Sequence, residues 1–162
     1  MFDKFGEFDS WEELNKAAAG QKEEGDEQAL IELALENGIC KENAEDYFDG
    51  SADELCNPLE AAMGKLDIEE KDLKLNNIMS DWLSYIRSEC LFDKDFCINV
   101  RKKDKSLKAC IAKILKWSFG HQQEVSKDIL KAAGVTVDKV TLGIPGMVAA
   151  HQIIREYYKE GR

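Results

Sequence analysis

Only two prolines and two histidines occur among the 162 residues, and several familiar patterns are missing altogether. So little proline in a chain that is 44% hydrophobic argues for a folded globule over a disordered tail. No run of about 18 apolar residues occurs, so no membrane-spanning helix is expected. The opening MFDKFGEFDSWEEL has an acidic start and no apolar signal core, which places the expected compartment in the cytoplasm. The five cysteines (Cys40, Cys56, Cys90, Cys97 and Cys110) are scattered and form no CxxC, and His121 and His151 add no ligand spacing. Free thiols in a reducing compartment, and no metal site, are the expectation. GxGxxG, Walker, HExxH and GxSxG patterns are absent too, as is the oxygen-ligand spacing of an EF-hand. The chain is therefore expected to be no enzyme and to carry no cofactor.

Charge is what the chain does have, unevenly distributed. Residues 1–80 hold 22 Asp and Glu against 7 Lys and Arg, whereas residues 81–162 hold 10 against 15. Such an imbalance points to an interaction surface, or to two halves that attract each other.

Hydrophobic periodicity predicts helices throughout. Ser10 with Glu13 reads as a capping box that starts a helix at Trp11, and Asp26 caps a second helix ended by Gly38. A short helix follows over Lys41–Phe48. Another is expected from Ser51-Ala52-Asp53, disturbed at Asn57-Pro58 and ended by Gly64, with a short helix and linker over 67–77. From Ile78 the pattern is more regular, and Phe92, Phe96 and Val100 anchor a short helix. Ser106 caps an amphipathic helix whose stripe is Leu107, Ile111, Ile114 and Leu115, at i, i+4, i+7 and i+8. Gly120 to Gln123 reads as a turn, and Ser126 caps a helix carrying Ile129, Leu130 and Ala133. Val135–Leu142 holds two Val-Thr pairs that suit extended chain, though a lone short segment cannot stabilise a sheet. Pro145 suits the first turn of a last helix, with Met147, Ala150, Ile154, Tyr157 and Tyr158 inward.

The predicted fold is all-α: a compact helical domain over 78–162 with an acidic helical module over 1–77. Its core is expected to contain Ile78, Trp82, Ile86, Phe96, Leu107, Ile111, Ile114, Leu115, Ile154 and Tyr157. Trp11, Trp82 and Trp117, at helical positions, read as packing anchors, and Cys110 as core.

Two surfaces could carry function. Glu42, Glu45, Asp46 and Asp49 lie at i, i+3, i+4 and i+7, so their carboxylates share one face, while Ala44, Tyr47 and Phe48 anchor the other. Neighbours at that spacing stand roughly 5–6 Å apart, a row that could occupy a protein groove built for a nucleic-acid backbone. An ordinary solvated exterior fits the same residues. The second surface is Arg101, Lys102, Lys103, Lys105 and Lys108. Clustered cations displace counterions from nucleic acid, yet no aromatic side chain is interleaved to stack on bases. A solvated turn and helix face, free or paired with the acidic half, is the preferred reading of these residues.

One progression of landmarks resembles a known family. Asp93-Lys94-Asp95-Phe96 is followed by Lys105-Ser106-Leu107-Lys108-Ala109-Cys110 and an apolar helix, and the last helix ends in Tyr157-Tyr158. Over about residues 78–160 this resembles the PcfK-like proteins of conjugative plasmids and integrated elements. The acidic half lies outside the resemblance, and Val135–Met147, containing TLGIPGM, departs from the family pattern. Some PcfK-like proteins are anti-CRISPR proteins that bind and inhibit the RNA-guided nuclease Cas9. The resemblance thus implies a non-enzymatic inhibitor whose partner is a CRISPR effector nuclease in a bacterial cytoplasm. The alternatives are a nucleic-acid-binding accessory protein of a conjugative or phage mobile element, acting through Arg101–Lys108, and a structural scaffold of the conjugation apparatus.

Overall fold

Among the described residues, six helices start where a short polar side chain takes up a free amide. In the computed structural model, which describes residues 2–159, Ser10 accepts from the Glu13 amide and opens α1 (Trp11–Glu23). Asp26 accepts from the Ala29 amide at the start of α2 (Glu27–Glu36). Ser106 and Ser126 do the same for two later helices, as the sequence predicts. The capping box at α1 is only half made. The Glu13 carboxylate accepts from the Asp9 amide, one residue before the expected partner.

After α2, α3 spans Lys41–Asp49 and stops at Gly50, whose φ of 89° suits a residue without Cβ. The helix expected from Ser51 does not form there. Asn57 and Glu60 make a complete capping box, and Pro58 occupies the first turn of α4 (Pro58–Leu73). Proline lacks the amide that position would leave unpaired, so it initiates the helix instead of disturbing it. Gly64 does not end α4 either. It lies mid-helix where the chain after α2 crosses, and a Cβ there would stand 2.5 Å from the Asn37 carbonyl oxygen. Residues 67–73 are the helix's continuation.

The remaining elements are α5 (Ile78–Phe92), α6 (Lys94–Arg101), α7 (Leu107–Gly120), β1 (Gln123–Glu124), α8 (Lys127–Ala132), β2 (Thr141–Leu142) and α9 (Met147–Lys159). The extended reading of Val135–Leu142 gains a partner in β1, where a turn was expected. The two strands pair antiparallel with Gln123 opposite Leu142, and the Val125 amide donates to the Val140 carbonyl at 2.9 Å. Pro145 precedes α9 and lies outside it. The polar tail, residues 160–162, lies outside the described residues.

Two apolar clusters share α4. One joins α1, α2 and α3 around Leu14, Leu30, Leu33 and Ala44, and takes Ala61 from α4; Phe5 and Phe8 pack against it. The other joins α5, α6, α7 and α9 around Ile86, Phe96, Cys110 and Ile154, and takes Ala62 and Leu66 from α4. Adjacent residues of one helix thus enter different clusters, and the chain forms a compact, mostly helical body.

Several expected core positions move. Leu115 is 53% exposed, and Cys110 replaces it in the buried stripe Leu107, Cys110, Ile114. That i, i+3, i+7 stripe is narrower than the predicted one and leaves Ile111 at its partly buried edge. On α5, Leu83 is sealed, whereas Ile78 is only half-buried and Trp82 packs at the margin. Phe92 and Met147, both assigned inward from periodicity, are exposed because each sits at a helix end beyond the neighbouring helices. On α8, Leu130 is buried and Ile129 exposed.

Candidate functional site

On α3 the carboxylates stand as the spacing predicts. Glu42, Asp46 and Asp49 are exposed, Glu45 is half-buried, and Ala44 and Tyr47 are buried on the opposite side, with Phe48 partly so. Each has a distinct environment. Glu45 pairs with Lys41 one turn earlier, at 2.5 Å. Glu42 sits in the first turn, where hydrogen bonds from its own amide and then from Cys40 hold its carboxyl below the usual range. Hydrogen bonds from Ser51, hydroxyl first and amide second, do the same for Asp49. The helix is fastened from behind: the Lys22 ammonium donates to the Tyr47 carbonyl at 2.5 Å and lies 4.5 Å from the Tyr47 ring centre. The Ala52 amide donates to the Asp46 carbonyl, which shapes the turn after α3.

The basic stretch has a different fate. Arg101, expected at the surface, is 1% exposed. Its guanidinium donates to the Phe8 carbonyl at 3.1 Å and to the Asn37 side-chain oxygen at 2.9 Å. Burial lowers its pKa, with Glu7 the chief opposing charge. Lys105 is also buried, and its ammonium donates to the Tyr157 carbonyl in the last turn of α9, where cations are favoured. The chain between them curls around the Lys65 ammonium, which donates to the carbonyls of Lys102 and Lys105, each at 2.6 Å, and pairs with the Glu7 carboxylate at 2.7 Å. The Lys103 amide donates to Asp9. Lys103 and Lys108 keep exposed side chains and Lys102 a half-buried one. The five cations therefore do not form one surface patch, because two of them are sealed by partners from the acidic half and from α9.

Three members of this network were missed in the sequence: Asn37, Lys65 and Glu69. Glu69 accepts from the Leu107 amide at 2.9 Å, putting a carboxylate at the start of α7. Burial raises its pKa, while the Leu107 amide and Lys65 oppose the rise. A signal did exist. Ala61, Lys65 and Glu69 follow one another at four-residue steps, which puts both charges in line with a buried alanine.

The residues that carry the PcfK-like resemblance gather in one place. The Ser106 amide donates to the Tyr157 hydroxyl at 2.7 Å, Phe96 meets Tyr158 edge-to-face at 5.2 Å, and Asp93 pairs with Lys159 at 2.6 Å. Cys110 is buried in the same cluster. Their contacts are those of packing, capping and helix fastening. No family model, no curated protein and no solved structure matches the chain. Among the described residues, no helix is long and apolar enough to cross a membrane, and no three His, Cys, Asp or Glu side chains are grouped to hold a metal ion.

Proposed function

We propose that this chain is a non-enzymatic binding protein of the bacterial cytoplasm. It engages a basic groove on a nucleic-acid-handling partner through the acidic face of α3. The partner class that the PcfK-like resemblance implies is a CRISPR effector nuclease, Cas9 above all, which the chain would inhibit. One observation carries the acidic-face reading: Glu42, Asp46 and Asp49 project from a short helix whose other side is anchored by Ala44 and Tyr47. Exposed carboxylates are ionised at neutral pH, and local hydrogen bonds lower the pKa of Glu42 and Asp49 further. RNA-guided nucleases hold their heteroduplex in positively charged channels, and a preformed row of carboxylates competes for the same cations.

Burial of Arg101 and Lys105 counts against the alternative of direct nucleic-acid binding, since it removes two of the five cations that reading requires. Co-purification with a panel of CRISPR effectors, joined to a DNA-cleavage assay, tests the proposal. Expected are a stable complex with one effector and suppressed cleavage. Salt-sensitive binding of labelled DNA by the isolated chain, with no effector retained, would move the assignment to the nucleic-acid class.

A further inference from the structure

The turn between α5 and α6 brings two thiols together. Asp93 ends one helix and caps the next, accepting from the Phe96 amide at 3.0 Å, so Cys90 in the last turn of α5 and Cys97 in the first turn of α6 lie on either side of a tight helical corner. The Cys90 thiol donates to the Cys97 sulfur, and the Cys97 thiol can itself donate to the Pro58 carbonyl at 3.1 Å. Both cysteines are buried among apolar neighbours, yet both line a surface cavity of about 330 Å³ that also includes Pro58, Leu91, Phe92 and Lys94. Leu91 and Phe92 are exposed, so the cavity opens to solvent beside the pair. Neither cysteine belongs to the acidic face or to the charged network, and the proposed function makes no use of them.

We propose that Cys90 and Cys97 form an oxidisable dithiol, a modification site that closes to an intramolecular disulfide when hydrogen peroxide enters the cavity. The Cys97 thiolate is the attacking group. It displaces one peroxide oxygen, the O–O bond breaks, and the departing hydroxide takes up the proton that Cys97 released, leaving as water. Cys97 is then a sulfenic acid. The Cys90 sulfur attacks it, the S–S bond forms, the S–O bond breaks, and a second water leaves with the Cys90 proton. The two sulfurs give up two electrons and the peroxide accepts them. The division of roles follows from the contact between the thiols. The Cys97 thiol directs its own proton to the Pro58 carbonyl at 3.1 Å, so the shared contact carries the Cys90 proton towards the Cys97 sulfur and favours negative charge there, holding Cys97 below its usual range. Cys56 and Cys110 have no such partner, and burial pushes each up to about 12.

Peptide mapping reads the outcome. The full-length chain is treated with hydrogen peroxide, alkylated under denaturing conditions and cut with trypsin, which cleaves after Lys94, between the two cysteines. The expected product is a pair of peptides joined through Cys90 and Cys97 and separated by dithiothreitol, with Cys56 and Cys110 fully alkylated. The Cys40→Ser variant, which removes the exposed thiol, is expected to form the same linkage. In Cys97→Ser, Cys90 is expected to stay reduced. Recovery of Cys90 and Cys97 as alkylated thiols while Cys40 is oxidised would overturn the proposal, as would sulfinate at Cys97 with no bond to Cys90. Both decisive readings use the wild-type chain, so they stand even if Cys97→Ser fails to fold.

Discussion

Arg101 donates a hydrogen bond to the Asn37 side-chain oxygen across 2.9 Å, and each residue is 1% exposed. The contact joins residues 64 positions apart and ties the corner after α2 to the end of α6. Together with Glu7, Lys65, Asp9 and Glu69, it turns part of the charge imbalance between the two halves into an internal fastening.

Removing the guanidinium should therefore damage the fold. Hydrogen bonds to charged groups contribute about 1.5–3 kcal/mol each, and Arg101→Ala leaves the Phe8 carbonyl and the Asn37 oxygen without their donor. Arg101→Lys should recover only part of the loss, because one ammonium cannot reproduce a planar fork. Lys108→Ala, at an exposed position, should stay within about 0.5 kcal/mol of wild type. Urea unfolding of the three variants decides the matter. Equal midpoints for Arg101→Ala and Lys108→Ala would show that the buried contact contributes nothing.

Neighbouring residues of α7 should respond very differently to truncation. Ile114 is sealed in the second cluster, so Ile114→Ala is expected to cost about 2–5 kcal/mol. Leu115 is half in solvent, and Leu115→Ala should fall within about 0.5 kcal/mol of wild type. Thermal denaturation of the pair reports the register of the helix directly.

Two helical glycines should give opposite results. A Cβ at Gly64 would meet the Asn37 and Gly38 backbone at 2.5 and 2.8 Å, groups that cannot swing aside. Gly64→Ala should destabilise by about 1–3 kcal/mol. Gly20, within α1, has nothing within 4 Å of the same position, and Gly20→Ala should stabilise by about 0.4–1 kcal/mol by restricting the unfolded chain.

Acid should loosen the attachment of α9. The Lys159 ammonium, and then the Phe96 amide, hold the Asp93 carboxyl below its ordinary pKa, and Arg155 does the same for Glu89. A carboxylate with a lowered folded-state pKa adds stability above its unfolded value, and that stability is lost as pH falls through the folded one. The unfolding midpoint should therefore decline below the ordinary carboxylate range. Asp93→Asn, which keeps a capping oxygen for α6 but loses the charge, should show a shallower decline as pH falls from the ordinary aspartate value downward. An unchanged slope would mean that the pair does not report on folding.

What could be read from sequence was mostly local. The caps at Ser10, Asp26, Ser106 and Ser126 were legible because a cap is an interaction across three residues. The two-faced character of α3 was legible because Ala44 and Tyr47 repeat at helical spacing. Gly64 was misread because a glycine inside a helix and a glycine ending one look alike until the crossing backbone is known. Arg101 and Lys105 were placed at the surface because cations usually belong there. Their burial depends on partners from Phe8, Asn37 and α9, and no local pattern contains those. Leu115 was misplaced because the stripe was drawn wide enough to include both Ile114 and its neighbour, whereas Cys110, read as core, completes a narrower buried stripe with Leu107 and Ile114.

The acidic face of α3 can be tested without disturbing what holds the chain together. Glu42, Asp46 and Asp49 are exposed, and Glu45 contributes only the surface pair with Lys41, a contact of small energetic weight. Replacing the four by Gln or Asn preserves shape and helix length while removing four negative charges. An isolated 78–162 fragment would be a poorer test, because it discards the α4 residues Ala62 and Leu66 that complete the second cluster and the Lys65 and Asn37 contacts of the basic turn. In the full chain, the neutralised variant should unfold at nearly the wild-type midpoint yet associate with the proposed effector more slowly and inhibit it less. Electrostatic complementarity acts mainly on the rate of encounter, so wild type should lose the same advantage at 1 M salt, where the screening length falls to about 3 Å. Undiminished inhibition by the neutralised chain, with association as fast as wild type at low salt, would remove α3 from the interface.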